Sequence, residues 1–151
     1  MVDHKVPQEW GGGDDIENLQ PLCEACNGGK QAWFATYDSD ADQIRMAINH
    51  ESVHVRIGEL LKAFEGEWVF TELVGIVASA RSFQEDYQKR TRDLRYLGWL
   101  IEHRNRHDEG PRVRSYYRCT YWKPWPDNPS AEIRRIERER AKAKKRREIG
   151  K

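Results

Sequence analysis

The chain contains no apolar run approaching the roughly 18 residues that a membrane-spanning helix needs. Nor does Met1 lead into the apolar segment of a secretory leader, since charged and polar residues follow almost at once. These two absences make the cytoplasm the default compartment and argue against a membrane partner. Cysteine is scarce: Cys23, Cys26 and Cys119 are an odd set of three, which does not suggest a disulfide framework. Cys23 and Cys26 nevertheless form a CxxC, half of a zinc site by spacing. No internal repeat is visible. Hydrophobic residues make up 38% and charged residues 34% of 151, enough for one ordinary domain or two small ones with a lean core.

The net charge of +1 is as small as it is because opposite charges are segregated. Residues 1–80 carry 5 Lys and Arg against 14 Asp and Glu, a net of −9. Residues 81–123 carry 11 against 6, and residues 131–151 carry 10 against 4. Nucleic-acid binding depends on local basic patches rather than on the sum, so the segregation favours it. The acidic N-terminal region would repel phosphates unless a divalent cation offset it.

Residues 1–37 alternate short apolar stretches with turn signals and read as strand, loop, strand, helix. The loop is Gly11 to Asp15, the second strand Asn18 to Leu22, and the helix Cys26 to Phe34. Residues 38–50, with Asp38, Asp40 and Asp42, read as a polar linker with at most a helical turn. Val53, Ile57, Leu60, Leu61 and Phe64 have helical spacing, stopped by Gly66. Trp68 to Phe70 is a short apolar run, and Thr71 is the expected N-cap of a second helix. Ser82 and Glu85 have capping-box spacing for a third, with Phe83, Tyr87, Leu94 and Leu97 along one side and Gly98 ending it. Trp99 to His103 and residues 112–122 read as strands around a basic loop, a wing that carries His103 and His107 on its surface. Trp122 to Pro126 closes the domain, with Cys119 and most of the tyrosines in the core.

The order from residue 51 to 126 is helix, short strand, helix, helix, strand, loop, strand. That is the order of a winged helix, whose third helix reads a groove and whose hairpin contacts phosphates. Arg90, Arg92 and Arg95 around the third helix, and Arg112, Arg114 and Arg118 on the hairpin, are the expected DNA contacts, with Arg81, Arg104 and Arg106 nearby. The competing reading of the same order is a small α+β packing domain. Residues 127–151 read as a basic helical or disordered tail adding nonspecific, salt-sensitive affinity.

The N-terminal stretch is the most informative. It runs Val2-Asp3-His4-Lys5-Val6-Pro7-Gln8, then Gly11-Gly12, then Asn18-Leu19, then Leu22-Cys23-x-x-Cys26-Asn27-x-x-Lys30. This resembles the HNH (ββα-metal) endonuclease family, and it is similar to the HNH domain of CRISPR effector nucleases in its Val-Asp-His-x-Val-Pro-Gln start and Asn-x-Gly-Lys finish. The resemblance covers about the first 35 residues. It implies an α+β chain with a small ββα-metal nuclease motif at residues 1–37, and an enzyme that hydrolyses phosphodiester bonds of double-stranded DNA to 5′ phosphate and 3′ hydroxyl ends. By the same resemblance His4 is the general base, and Asp3 and Asn27 are ligands of a catalytic Mg²⁺ or Mn²⁺. Asn18 braces the loop and orients His4, and Lys30 contacts phosphate. The residue types suit that chemistry, because a neutral imidazole takes a proton from water near pH 7 and a hard cation takes oxygen ligands. Neighbouring strand residues point to opposite sides, so Asp3 and His4 need different aims or a local distortion.

Many HNH proteins carry a second CxxC upstream of the Asp-His strand, completing a four-cysteine zinc site. Here Met1 directly precedes that strand, so zinc on Cys23 and Cys26 requires ligands from further upstream. The expectation is an N-terminally truncated nuclease whose activity is weak without the missing part; the competing reading is a complete chain that does without zinc, as some HNH domains do. Joined to a sequence-reading module, the motif resembles restriction-type enzymes, many of which act as homodimers, although no dimer interface is legible. The competing class is a noncatalytic winged-helix DNA-binding regulator carrying a degenerate or truncated HNH motif.

Overall fold

A computed structural model of the chain describes residues 2–23, 30–31, 33–107 and 113–150. The architecture is α+β. Strands β1 (Val2–His4) and β2 (Leu19–Pro21) pair antiparallel with Asp3 opposite Gln20 and His4 opposite Leu19. Between them the chain makes two 3₁₀ turns, Gln8–Trp10 and Ile16–Asn18. Gly11 ends the first turn at φ 89°, a left-handed conformation that favours glycine. Gly12 is required for another reason: a Cβ there would lie 1.9 Å from the Val6 carbonyl oxygen. Residues 30–31 and 33–35 are helical. The remainder of the helix expected from Cys26 onward lies outside the described residues.

Residues 38–50 are folded, which corrects the linker expected there. A 3₁₀ turn, Asp38–Asp40, leads into α1 (Ala41–Ile48), which buries Ile44, Ala47 and Ile48. Their i, i+3, i+4 spacing is an apolar face, and burying it outweighs the acidic flank. Arg45 then ties α1 to the N-terminal loop by donating from Nε to the Glu9 carbonyl at 2.8 Å. Trp10, 1% exposed, packs edge-on against Phe34 at 4.7 Å and Tyr37 at 6.3 Å.

After α1 come α2 (Val53–Ala63), β3 (Val69–Phe70), α3 (Thr71–Ala78) and α4 (Tyr87–Asp93), the last extended by a 3₁₀ turn, Leu94–Leu97. Strands β4 (Leu100–His107) and β5 (Val113–Tyr121) form a hairpin, and β3 adds to β5, giving the order β3-β5-β4. Gly98 is left-handed at φ 87° and closes the turn before β4, as its position predicts. The two expected caps do not form. Thr71 is the first residue of α3, behind Phe70 at the cap, and α4 begins at Tyr87 with neither Ser82 nor Glu85 capping it. Phe83 is 82% exposed rather than part of a helix side.

One buried cluster runs from Val6, Trp10 and Phe34 through Ile44, Ile57 and Leu73 to Trp99, Tyr117 and Cys119. Tyr116 and Tyr117 are buried as expected, whereas Tyr121 and Trp122 are exposed. Trp125 stacks on Trp99 at 4.6 Å over Gly58, where a Cβ would meet its ring at 2.4 Å, and its Nε1 donates to Glu59 at 2.7 Å. The basic C-terminal segment is helical: α5 (Pro129–Ile149) is capped by Asn128, whose side chain accepts from the Ala131 N–H at 3.1 Å. Ile133 of α5 is buried, and Arg140 lies 4.7 Å over the Tyr96 ring. Among the described residues no helix is long and apolar enough to cross a membrane.

Candidate active site

Asp3 and His4 are neighbours on β1, yet both line one cleft of about 750 Å³, whose walls also include Gln8, Lys30, Phe34 and Arg45. Asp3 Oδ2 receives a bond from Lys30 Nζ at 2.5 Å, and Lys30 also donates to the His4 carbonyl. Burial pushes the Asp3 carboxyl up, but the bond and charge of Lys30 outweigh it and hold the group below the usual carboxylate range. Asp3 therefore presents an ionised oxygen that already holds a cationic group.

His4 Nε2 pairs with Asp14 Oδ1 at 2.8 Å, and Gln8 Nε2 donates to the same oxygen at 3.0 Å. The bonds from His4 and Gln8 lower the Asp14 carboxyl from its ordinary value. With Asp14 as the acceptor, Nε2 is the donor, and in the neutral tautomer Nδ1 carries the lone pair. Asn18 sits at the root of this arrangement. Its Oδ1 accepts from the Val6 N–H at 2.8 Å, and its Nδ2 donates to the Val6 carbonyl at 3.1 Å and the Gly13 carbonyl at 2.7 Å. The Asn18 side chain thus bonds to the main chain of the loop, and no hydrogen bond joins it to the His4 ring. The residue it fixes is Asp14, next to Gly13, and Asp14 orients the imidazole.

Sequence reasoning missed Asp14, Gln8 and Arg45. No residue pattern marks Asp14, an acid after three glycines, as a partner of a histidine ten positions earlier. Lys30, expected on phosphate, is bonded to Asp3. Cys23 is exposed. Cys119 is buried in the core, as expected, where desolvation pushes its thiol up. Asn27 and Cys26 lie outside the described residues. Among the described residues, no group of three or more His, Cys, Asp or Glu is placed to hold a metal.

The expected DNA-contact arginines divide by what already engages them. Arg95 donates from Nη2 to the Ile101 carbonyl at 2.8 Å, and Arg90 pairs with buried Asp93 at 3.6 Å. Arg118 is held by Glu102 at 2.6 Å and lies 4.5 Å over Trp68, whose ring Arg104 also faces at 4.1 Å. Arg114 faces Phe70 at 5.6 Å but is exposed, as is Arg92. Arg81 donates to the carbonyls of Ile48 and Asn49 at the end of α1. Arg112 is outside the described residues.

Residues 1–32 match the family model described as HNH endonuclease. The match points to nuclease-type function for this stretch, and HNH nucleases act on DNA, generally with divalent metal ions. No curated protein and no solved structure matches the chain.

Proposed function

We propose that this chain is a metal-dependent DNA endonuclease, with His4 as general base and Asp3 as a ligand of a hard divalent cation. One observation carries the reading: an ionised carboxylate that attracts a cation and an imidazole with one nitrogen already paired line the same open cleft. The site residues fit a Mg²⁺ or Mn²⁺ ion, because Asp3 supplies a hard oxygen and, by the HNH resemblance, Asn27 supplies a second. Such an ion, when bound, would supply positive charge for the scissile phosphate and the leaving 3′ oxygen. His4 takes the proton of the attacking water at Nδ1, while Asp14 holds the opposite nitrogen and stabilises the imidazolium that results. Lys30 and Arg45 bring positive charge to the cleft wall, offsetting the acidic N-terminal half as phosphate approaches.

The helix and strand order of residues 51–126, with its β3-β5-β4 sheet, supports a winged-helix-like DNA-binding domain of the kind found in restriction-type nucleases. Arg92, Arg114 and, by sequence position, Arg112 are its DNA contacts, while Arg90, Arg95 and Arg118 hold the fold. A homodimer would cut both strands.

Plasmid DNA incubated with the chain and Mn²⁺ or Mg²⁺ tests the proposal. Cleavage that EDTA stops is expected, leaving 5′ phosphate ends. His4→Ala lowers the rate by about 10²-fold or more, with DNA affinity in EDTA unchanged. A noncatalytic regulator would bind the plasmid and never nick it. Cleavage by His4→Ala at the parent rate would remove His4 from the mechanism.

A further inference from the structure

The positive charge of the folded body is largely engaged by the protein itself. Arg56, Arg81 and Arg95 donate to main-chain carbonyls, and Arg104 and Arg118 stack on Trp68. The far half of α5 is different. Arg138, Lys142, Lys144, Lys145, Arg146 and Arg147 are all exposed, and no side chain among them bonds or stacks with any described residue. With Arg140, seven cations and a single acid, Glu139, fall within ten residues, about 15 Å of helix at 1.5 Å per residue. That density is comparable with duplex DNA, which carries about one negative charge per 1.7 Å of axis.

Their placement is also ordered. Arg138, Lys142, Lys145 and Arg146 have i, i+4, i+7, i+8 spacing and form one stripe. The opposite face of α5 is the one that packs, through buried Ile133 and through Arg140 on Tyr96. The near half of the helix is further clamped by Lys89 to Glu137 at 3.3 Å and by Ser130 Oγ to His54 Nδ1 at 3.3 Å. The stripe therefore faces away from the body on a helix whose direction is set by packing. Between residues 138 and 147 the only apolar side chains are Ala141 and Ala143. A lipid interface or a protein groove would need a larger apolar face than that.

We propose that α5 is a phosphate-binding arm whose stripe of Arg138, Lys142, Lys145 and Arg146 lies along the backbone of duplex DNA without reading its sequence. The choice of DNA as the polyanion rests on the nuclease reading. The arm supplies positive charge that the expected reading helix, α4, has partly given up, since Lys89 and Arg90 of α4 are paired with Asp93 and α5 lies alongside them.

Fluorescence anisotropy of a labelled duplex with the full chain in EDTA, over a series of salt concentrations, tests the arm separately from cleavage. Changing all four stripe residues to Gln, a good helix former, should preserve helix content by circular dichroism. It should reduce the slope of log affinity against log salt by about 3.6, near 0.9 per lost phosphate contact, and weaken binding at least about tenfold at low salt, equally for duplexes of unrelated sequence. The variant Arg138→Lys with Arg146→Lys keeps the charge and should keep the slope. An unchanged slope in the Gln variant, a loss confined to one sequence, or a lowered slope in the Lys variant would each overturn the arm. If binding behaves as expected and plasmid is never cut in Mn²⁺, the nuclease reading fails while the arm stands.

Discussion

Asn18 shows how much one side chain can organise. All three of its polar bonds go to the main chain of the loop between β1 and β2, and the loop in turn presents Asp14 to His4. Asn18→Ala removes all three, at about 1 kcal/mol each. Plasmid cleavage should fall at least about tenfold, more than with Gln8→Ala, which removes a single bond to Asp14. Equal losses in the two variants would assign Asn18 no special part. At His54 the effect is on stability. Its ring is 3% exposed, with Nε2 on Asp93 at 3.1 Å, Ser130 on the other nitrogen, and Lys89 and Arg90 beyond the aspartate. Burial lowers its pKa, and the bond to Asp93 pulls it back only in part. A depressed folded value means the unfolded chain takes up the proton first. Stability is then full above the unfolded value of about 6.5 and declines as pH falls towards the folded one. The melting temperature should drop between neutral pH and about pH 5, and His54→Gln should flatten that part of the curve. A curve of the same shape in the variant would exclude His54 as its source.

Among the elements, the C-terminal ends of α1 and α3 are held by arginines rather than by side-chain caps. Arg56, 1% exposed in the first turn of α2, donates to the carbonyls of His50, Glu51 and Ala78 at 2.8–2.9 Å, satisfying the end of α3 and the turn after α1. Arg56→Met fills much of the volume but orphans the buried Ala78 carbonyl and removes two part-buried bonds, and should cost about 2 kcal/mol or more in chemical denaturation. A cost below about 1 kcal/mol would mean that water replaces the guanidinium. The helices themselves were legible where apolar spacing is strong, as in α2, and where glycine punctuates, as at Gly98. Helix α1 was not: Asp38 and Asp40 lie in the turn before it and Asp42 in its first turn, and the face of Ile44, Ala47 and Ile48 acquires meaning only once something covers it. Arg56 was equally hidden, because a cation on a helix reads as surface until its carbonyl partners converge from two other elements.

For the whole molecule, one buried cluster links Trp10 and Phe34 beside the cleft to Trp99 and Cys119 at the hairpin. Unfolding should accordingly be one cooperative transition. Tryptophan fluorescence and far-ultraviolet circular dichroism should give the same midpoint, and Phe34→Ala should shift both by the same amount. Two separated transitions would show that the N-terminal unit and the rest fold independently. Charge is organised on the same scale. The acidic half carries the cleft, while unpaired positive charge collects on the far half of α5.

The order of residues along the chain was sufficient to propose the cleft chemistry, because Asp3, His4 and Asn18 are close in sequence and their types suit hydrolysis of a phosphate ester. It was also sufficient for the succession of helices and strands after residue 51, since apolar periodicity and turn residues are local properties. Tertiary structure alone decided which cations remain exposed, which acid meets His4, and that residues 38–50 are core rather than connection. Each of those depends on contacts between segments far apart in the chain. A side chain's charge or burial is settled by the neighbours that folding brings to it.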